Sequence, residues 1–587
     1  MRVLVARFYS LKGEDTPQCK GGVYDTIPKT LKHTLARGRH SSCWRGTRLR
    51  PVLGNGNGNG NGNGGGGPTV STADGPVRGF VNSSGVNVFL GIPYAAPPVG
   101  NLRWMPPAPP AKHALLDATE FANSCPQVTE LGAFAGPSST TEDCLYLNVF
   151  TTGSGPKKPV LVWIHGGGNI DGETGDYDAS KLATGGPSGS PTVVVTINYR
   201  LGLLGFFSET HVGTHGNYGL LDQQAALRWV QANIANFGGD PTKVALGGQS
   251  AGAVDTGANQ LSPSAAGLFN RAIYQSSPGF FSSLPTASNA LANGNAFAAA
   301  AGCSNAACLR SLSVARILQL QGTPNADAGY STGPYVDGTT IPIQPEAAWT
   351  SGHYNKMPII GGTTRDEFLF PIGITEYFSG PPQVALTAAQ YMANNPANVL
   401  AEYPLSNYGN NPTLAQDRAT TDPFLCRALH VLKAQAASNT GFGVFGYDFT
   451  YSHAPYYFPQ MPNVSDPTGH FQPLAAHTID IQFVFDKWHG GQLGVNISQD
   501  AIAPANNQPR ELQGAEITLS DQLVAAWTNF AKTGNPNGSG APVWQVFTSG
   551  SSTFLRQDVP NSAETEAQYR ALYKCDFWDP LLTYPTT

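Results

Sequence analysis

From Pro68 onward, short apolar runs recur along the chain, each the length of one buried strand and each ending in glycine or polar turn residues. They are Val160 to Ile164, Thr192 to Asn198, Val244 to Leu246, Ala272 to Tyr274, Pro358 to Ile360 and Gly443 to Phe449. Between several of them the spacing becomes helical. Over Leu220 to Asn236 one apolar face is supplied by Leu221, Ala225, Leu227, Trp229, Val230 and Ile234. Nearer the start, Val77 to Phe89 reads as a surface hairpin turning at Asn82-Ser83-Ser84-Gly85. Strands alternating with helices predict an α/β protein with a mostly parallel sheet covered on both faces. In such a fold catalytic groups gather at the carboxyl ends of the strands.

Residues 1 to 67 follow no such pattern. They carry eleven Lys/Arg against three Asp/Glu and end in the Gly/Asn run Gly54 to Gly67, which cannot bury a core. The expected organisation is therefore a basic, disordered extension over 1–53, a linker over 54–67 and one catalytic domain over 68–587. The first residues begin like a signal peptide, but Arg7 and Lys12 interrupt the apolar region. The segment reads as a disordered extension or a wrong gene start that replaces a signal, with a basic targeting segment as the alternative.

Composition narrows the function. A formal charge of −5 and only 12% charged residues give no basic footprint for nucleic acid, and no apolar run reaches the roughly 18 to 20 residues of a membrane span. The eight cysteines form no CxxC pair and no Cys/His cluster with zinc spacing, so no metal is expected and disulfides are the better reading. N-x-S sequons at Asn82, Asn463, Asn496 and Asn537 are glycosylation candidates compatible with a secretory route.

The chemistry centres on Gly248-Gln249-Ser250-Ala251-Gly252, which follows the apolar run at Val244. This reads as a strand turning sharply into a helix with Ser250 at the apex. A serine hydroxyl is a poor nucleophile at neutral pH, so it needs a histidine as base and an acid to orient that base, both downstream in this type of fold. Pro358 to Ile360 runs into a loop bearing Asp366 and Glu367, which spacing cannot separate. The later histidines are His430, His453, His470, His477 and His489. His430 falls in a helical pattern, His477 borders a strongly apolar segment, and His489 precedes two glycines. Upstream, the strand ending at Ile164 leads into His165-Gly166-Gly167-Gly168, whose bare backbone suits an oxyanion loop.

Several separated motifs resemble the type-B carboxylesterase/lipase family, which includes cholinesterases and secreted fungal lipases. They are Gly91-Ile92-Pro93-Tyr94-Ala95 with Leu102-Arg103-Trp104, Glu142 to Val149, Asn198-Tyr199-Arg200, Asn233 to Pro241, and Cys575-Asp576-Phe577-Trp578. The resemblance implies an α/β-hydrolase fold, with a large mostly parallel central sheet covered by helices on both faces. It also implies a secreted serine esterase without cofactor, acting on a small-molecule ester through an acyl-enzyme. Carried over by position, Ser250 is the nucleophile, Glu367 the acid and His477 the base, while Gly167, Gly168 and Ala251 donate to the oxyanion. The family's disulfides fall at Cys125–Cys144, Cys303–Cys308 and Cys426–Cys575. Its structural ion pairs fall at Arg103 with Glu142 and Arg200 with Asp222.

Three departures from the family pattern bear on activity. Gln249 replaces a glutamate beside the nucleophile, removing a negative charge near the histidine. Thr478 and Asp480 replace the usual Gly and Glu after the histidine, which keeps His489 as an alternative base. Only 18 residues separate Cys125 from Cys144, none of them Trp. The loop thus lacks the choline-binding tryptophan and is shorter than a fungal lipase lid. This favours soluble or short-to-medium chain esters. The alternatives are a lipase or sterol esterase on long-chain lipid esters, and a catalytically inactive cholinesterase-like binding protein. The sequence leaves the oligomeric state open.

Overall fold

The central strands are apolar on both faces, and the structure divides their side chains between two cores. Along Lys158–Ile164, Val160, Val162 and Ile164 enter one core while Leu161 and Trp163 enter the other. Val193–Ile197 splits in the same way, with Val193, Val195 and Ile197 opposed to Val194. Strands of this kind require cover on both sides. Helices Tyr218–Asn233 and Pro412–Ser438 cover the first core, and helix Ala515–Thr533 covers the second.

The computed structural model describes residues 67–128, 136–153, 155–213, 216–276, 283–322, 332–378, 386–455, 474–485, 488, 511–539, 541–548 and 550–584. In chain order the strands are β1 (Thr69–Thr72), β2 (Gly75–Arg78), β3 (Phe80–Val81), β4 (Asn87–Pro93), β5 (Leu116–Asp117), β6 (Tyr146–Thr151) and β7 (Lys158–Ile164). They continue as β8 (Val193–Ile197), β9 (Gly239–Gln249), β10 (Arg271–Gln275), β11 (Ile359–Thr364), β12 (Val444–Phe449), β13 (Thr553–Gln557) and β14 (Ser562–Thr565). The main sheet has the order β14-β13-β12-β11-β10-β9-β7-β8-β6-β4-β3, and β1, β2 and β5 form a small separate sheet. Pairing is parallel from β8 through β13, with antiparallel strands closing both edges. This is the mostly parallel sheet read from the sequence.

The hairpin at Val77 to Phe89 differs from the expectation on its first arm. The chain through β2 belongs to the small sheet, and only β3 pairs back on β4. The break falls at Gly79, where a Cβ would lie 2.2 Å from the Val88 carbonyl oxygen. The turn itself closes through the Gly85 N–H donating to the Asn82 carbonyl at 3.0 Å.

Disulfides join Cys125–Cys144, Cys303–Cys308 and Cys426–Cys575. Residues 1–66, which include Cys19, Cys43 and all but the last residue of the expected extension and linker, lie outside the described residues. Buried ion pairs hold Arg103 to Glu142 at 2.6 Å and Arg200 to Asp222 at 2.7 Å. Of the sequons, Asn463 and Asn496 lie outside the described residues. The Asn82 amide donates to Ser180 Oγ at 2.7 Å, and that of Asn537 donates to Asn535 Oδ1 and the Trp544 carbonyl, each at 2.9 Å. Among the described residues no helix is long and apolar enough to cross a membrane.

Candidate active site

Strand β9 ends at Gln249, and the helix Ala251–Leu261 begins two residues later. Ser250, between them, adopts φ 56° and ψ −124°, a region that non-glycine residues rarely occupy. The flanking glycines make this turn sterically feasible. A Cβ on Gly248 would lie 2.4 Å from the Gly252 backbone, and one on Gly252 would lie 2.2 Å from the Ile164 carbonyl oxygen. The Ser250 N–H donates to the Gln275 carbonyl at the end of β10 at 2.9 Å, which ties the turn to the sheet. Ser250 itself is half-buried.

The glycine loop follows β7 and runs against this turn. A Cβ on Gly166 would come within 2.8 Å of the Gln249 carbonyl oxygen and 3.2 Å of Ser250 Cβ. Gly167 and Gly168 take φ 105° and 62°, and the Gly167 carbonyl accepts from the N–H groups of Ile170 and Asp171. The N–H groups of Gly167, Gly168 and Ala251 donate to no acceptor among the described residues. His165 is not available as a base: its Nδ1 lies 2.8 Å from the Gly166 carbonyl and its ring stacks on Tyr199. Burial pushes its pKa down to about 4, partly opposed by that hydrogen bond, so it is neutral at pH 7.

A carboxylate and an imidazole arrive from later segments. His477 Nδ1 lies 2.5 Å from Glu367 Oε2, and Glu367 Oε1 accepts the Thr364 N–H at 2.8 Å at the end of β11. Asp366, which spacing could not separate from Glu367, is otherwise engaged. It pairs with Arg365 at 2.8 Å and Arg418 at 3.3 Å, and its Oδ2 accepts the Ala475 N–H at 3.0 Å. Asp366 thus anchors the segment that carries His477, and Glu367 contacts the imidazole.

The other nitrogen of His477 faces the turn at Ser250. Nε2 lies 3.2 Å from the Gln249 side-chain amide, and among the described residues no hydrogen bond links it to Ser250 Oγ. Thr478 takes φ 79°, a left-handed conformation that suits glycine and strains a β-branched residue. Asp480 is buried, and Tyr447 donates to it at 3.3 Å. Burial first, then the Glu367 charge, pushes the Asp480 pKa up to about 7, against the pull of Gln275 and His477. His430 lies in the helix Pro412–Ser438, 3.0 Å from Glu346 and remote from these contacts in its partners. His470 and His489 lie outside the described residues.

Several polar residues around the site drew no functional reading from the sequence. Tyr199 donates towards the His165 carbonyl and Asn169 Oδ1, each at 3.0 Å, and Asn169 in turn reaches Asp255. A legible signal existed: Asp255 is a carboxylate in a helix whose other positions are mostly small or amide-bearing. At the base of the short disulfide loop, Gln127 brackets Gly172 by donating to its carbonyl and accepting its N–H.

A parallel-rich sheet with a serine at a strand-to-helix turn, a glycine loop beside it and a carboxylate–histidine pair from later segments defines an α/β-hydrolase. The chain belongs to the carboxylesterase family, whose model matches residues 66–578. It is 33% identical over 497 residues to human cocaine esterase, covering 79% of this chain and 82% of that protein. It is 34% identical over 557 residues to the medium-chain fatty acyl-CoA hydrolase precursor of Anas platyrhynchos, covering 87% and 92% respectively. The solved carboxylesterase EST55 of Geobacillus stearothermophilus superposes with a TM-score of 0.66 at 30% identity, covering 86% of this chain and 99% of that one. The protein is a carboxylic ester hydrolase acting on small-molecule esters.

Proposed function

We propose that the protein cleaves soluble esters of short to medium acyl chains through an acyl-enzyme on Ser250. The observation that carries this reading is the hydrogen-bonded Glu367–His477 pair, whose second nitrogen meets the Gln249 side-chain amide on the turn bearing Ser250. His477 Nε2 takes the Ser250 proton as Oγ attacks the ester carbonyl carbon. The carbonyl oxygen gains the negative charge and is received by the N–H groups of Gly167, Gly168 and Ala251. His477 then returns the proton to the leaving alcohol oxygen, the C–O bond breaks, and the acyl group stays on Ser250. A water deprotonated by His477 attacks that acyl group, and His477 returns the proton to Ser250 Oγ as the acyl–Oγ bond breaks and the carboxylic acid leaves.

The chain-length preference draws support from the short loop between Cys125 and Cys144 and from a relative named for medium-chain acyl groups. The disulfides and sequons favour a secretory route, with Asn82, Asn463, Asn496 and Asn537 as glycan acceptors. Ser250→Ala should abolish turnover of a short p-nitrophenyl ester, and retained turnover would overturn the assignment. A sharp rise in activity above the solubility limit of a long-chain triglyceride would replace the soluble-ester preference with lipolysis.

A further inference from the structure

Asp255 is a fully buried carboxyl that the reaction does not use. It lies on the helix Ala251–Leu261, whose first residue carries one of the assigned oxyanion donors. Its Oδ1 accepts from Asn169 Nδ2 at 3.2 Å, and its Oδ2 accepts from Gln223 Nε2 at 2.6 Å. Gln223 Oε1 accepts in turn from Asn259 Nδ2 at 2.7 Å. Burial raises the Asp255 pKa to about 7, with the Gln223 and Asn169 hydrogen bonds opposing it.

Asn169 directly follows the glycine pair Gly167-Gly168, and every polar group of its side chain and its carbonyl has a partner. Its Oδ1 accepts from the Tyr199 hydroxyl at 3.0 Å, and its carbonyl accepts the Gly202 N–H at 2.6 Å. Its φ of 59° lies in the left-handed region, which asparagine tolerates better than most residues. A buried carboxyl is costly compared with an apolar side chain at the same place. The Asn169–Asp255 link gives that cost a purpose.

We propose that Asp255 is a positioning residue for ester hydrolysis, tying the glycine loop through Asn169 to the helix that begins at Ala251. The inference rests on Gly167, Gly168 and Ala251 being the oxyanion donors. Two of these belong to the loop and one to the helix, so the register between the elements decides whether all three converge on one oxygen. Donors of this type act over about 2.7 to 3.1 Å, so a small slip of the loop costs transition-state stabilisation and leaves ground-state binding intact.

The test uses the full chain carrying Asp255→Ala, Asn169→Ala, both together, and Asp255→Asn. The readouts are kcat and KM for p-nitrophenyl butyrate and the inhibition constant of an alkyl trifluoromethyl ketone, whose adduct on Ser250 carries an oxyanion. For Asp255→Ala, kcat should fall about 10- to 100-fold and the inhibition constant rise by a similar factor, with KM within about threefold. The double variant should be no worse than the single ones. Asp255→Asn keeps an oxygen facing Asn169 and should regain most of the loss. Unchanged kcat and inhibition in both alanine variants would overturn the proposal, as would losses that multiply in the double variant. An equal loss in Asp255→Asn would also overturn it, because the cause would then be general packing. Failure of the underlying reading has its own signature: wild-type enzyme that turns over ester but is not inhibited by the ketone.

Discussion

The two halves of the site are held in place by different forces. On the Ser250 side, backbone packs on backbone, so that a single methyl on Gly248 or Gly252 collides with main-chain atoms that have no room to move. On the other side, Glu367 and His477 are 110 positions apart in the chain and are joined by side chains: the carboxylate–imidazole contact, and Asp366 bonded to Arg365, Arg418 and the Ala475 N–H. The first half is therefore sensitive to volume, and the second to charge and hydrogen bonding.

Gly252→Ala is the harshest test of the volume-sensitive half. Its Cβ would lie 2.2 Å from the Ile164 carbonyl oxygen, so a loss of more than about 3 kcal/mol of stability is expected, read as a drop in thermal midpoint and soluble yield. A stable, active Gly252→Ala enzyme would erase the distinction between the halves. On the other side, Glu367→Gln conserves volume and removes charge. It should lower kcat about 10,000-fold with little change in thermal midpoint. Asp366→Asn loses two ion pairs but no direct contact with the imidazole, and should reduce kcat far less while lowering the thermal midpoint more. Equal kcat losses would mean that the two carboxylates share one role.

A subtler charge effect comes from Asp480, whose pKa of about 7 makes it neutral in mild acid and ionised above neutrality. Its negative charge then supports the imidazolium that forms in the transition state, so kcat/KM should rise by a few-fold through pH 7, and Asp480→Asn should flatten that rise. The stability effect has the opposite sign. A carboxyl whose pKa is raised on folding stabilises fully below its unfolded value of about 3.9 and loses that contribution as pH climbs to about 7. Asp480→Asn should therefore gain most in thermal midpoint at pH 8 and least at pH 5. The smallest change is expected from Gln249→Glu. A carboxylate beside His477 Nε2 favours the imidazolium and should move the acid limb of the pH–rate profile upward by about one unit. A profile that stays in place would mean that the residue beside the nucleophile exerts no charge effect on the base.

The same contrast explains what could be read from the chain alone. The strands at Val160, Thr192 and Val244 and the strand-to-helix turn at Ser250 were legible because local pattern and glycine spacing express local geometry. The family resemblance added the choice of His477 and Glu367, which spacing left open. Strands β13 and β14 were not read, since each is short, and the pair joins the sheet only through β12, which is remote in sequence. The division of labour between Asp366 and Glu367 was equally hidden, because it depends on Arg418 and Ala475, which only the folded chain brings near. The link from Asn169 to Asp255 spans 86 positions and leaves no periodic trace.

The central claim is that Ser250 is the activated nucleophile served by both halves. Its most direct test is to titrate the enzyme with a p-nitrophenyl alkylphosphonate and map the adduct by peptide mass spectrometry. The account predicts one equivalent of label on the peptide containing Ser250, with activity lost in proportion. Full esterase activity alongside an unlabelled Ser250, or inactivation through a label on another residue, would contradict it.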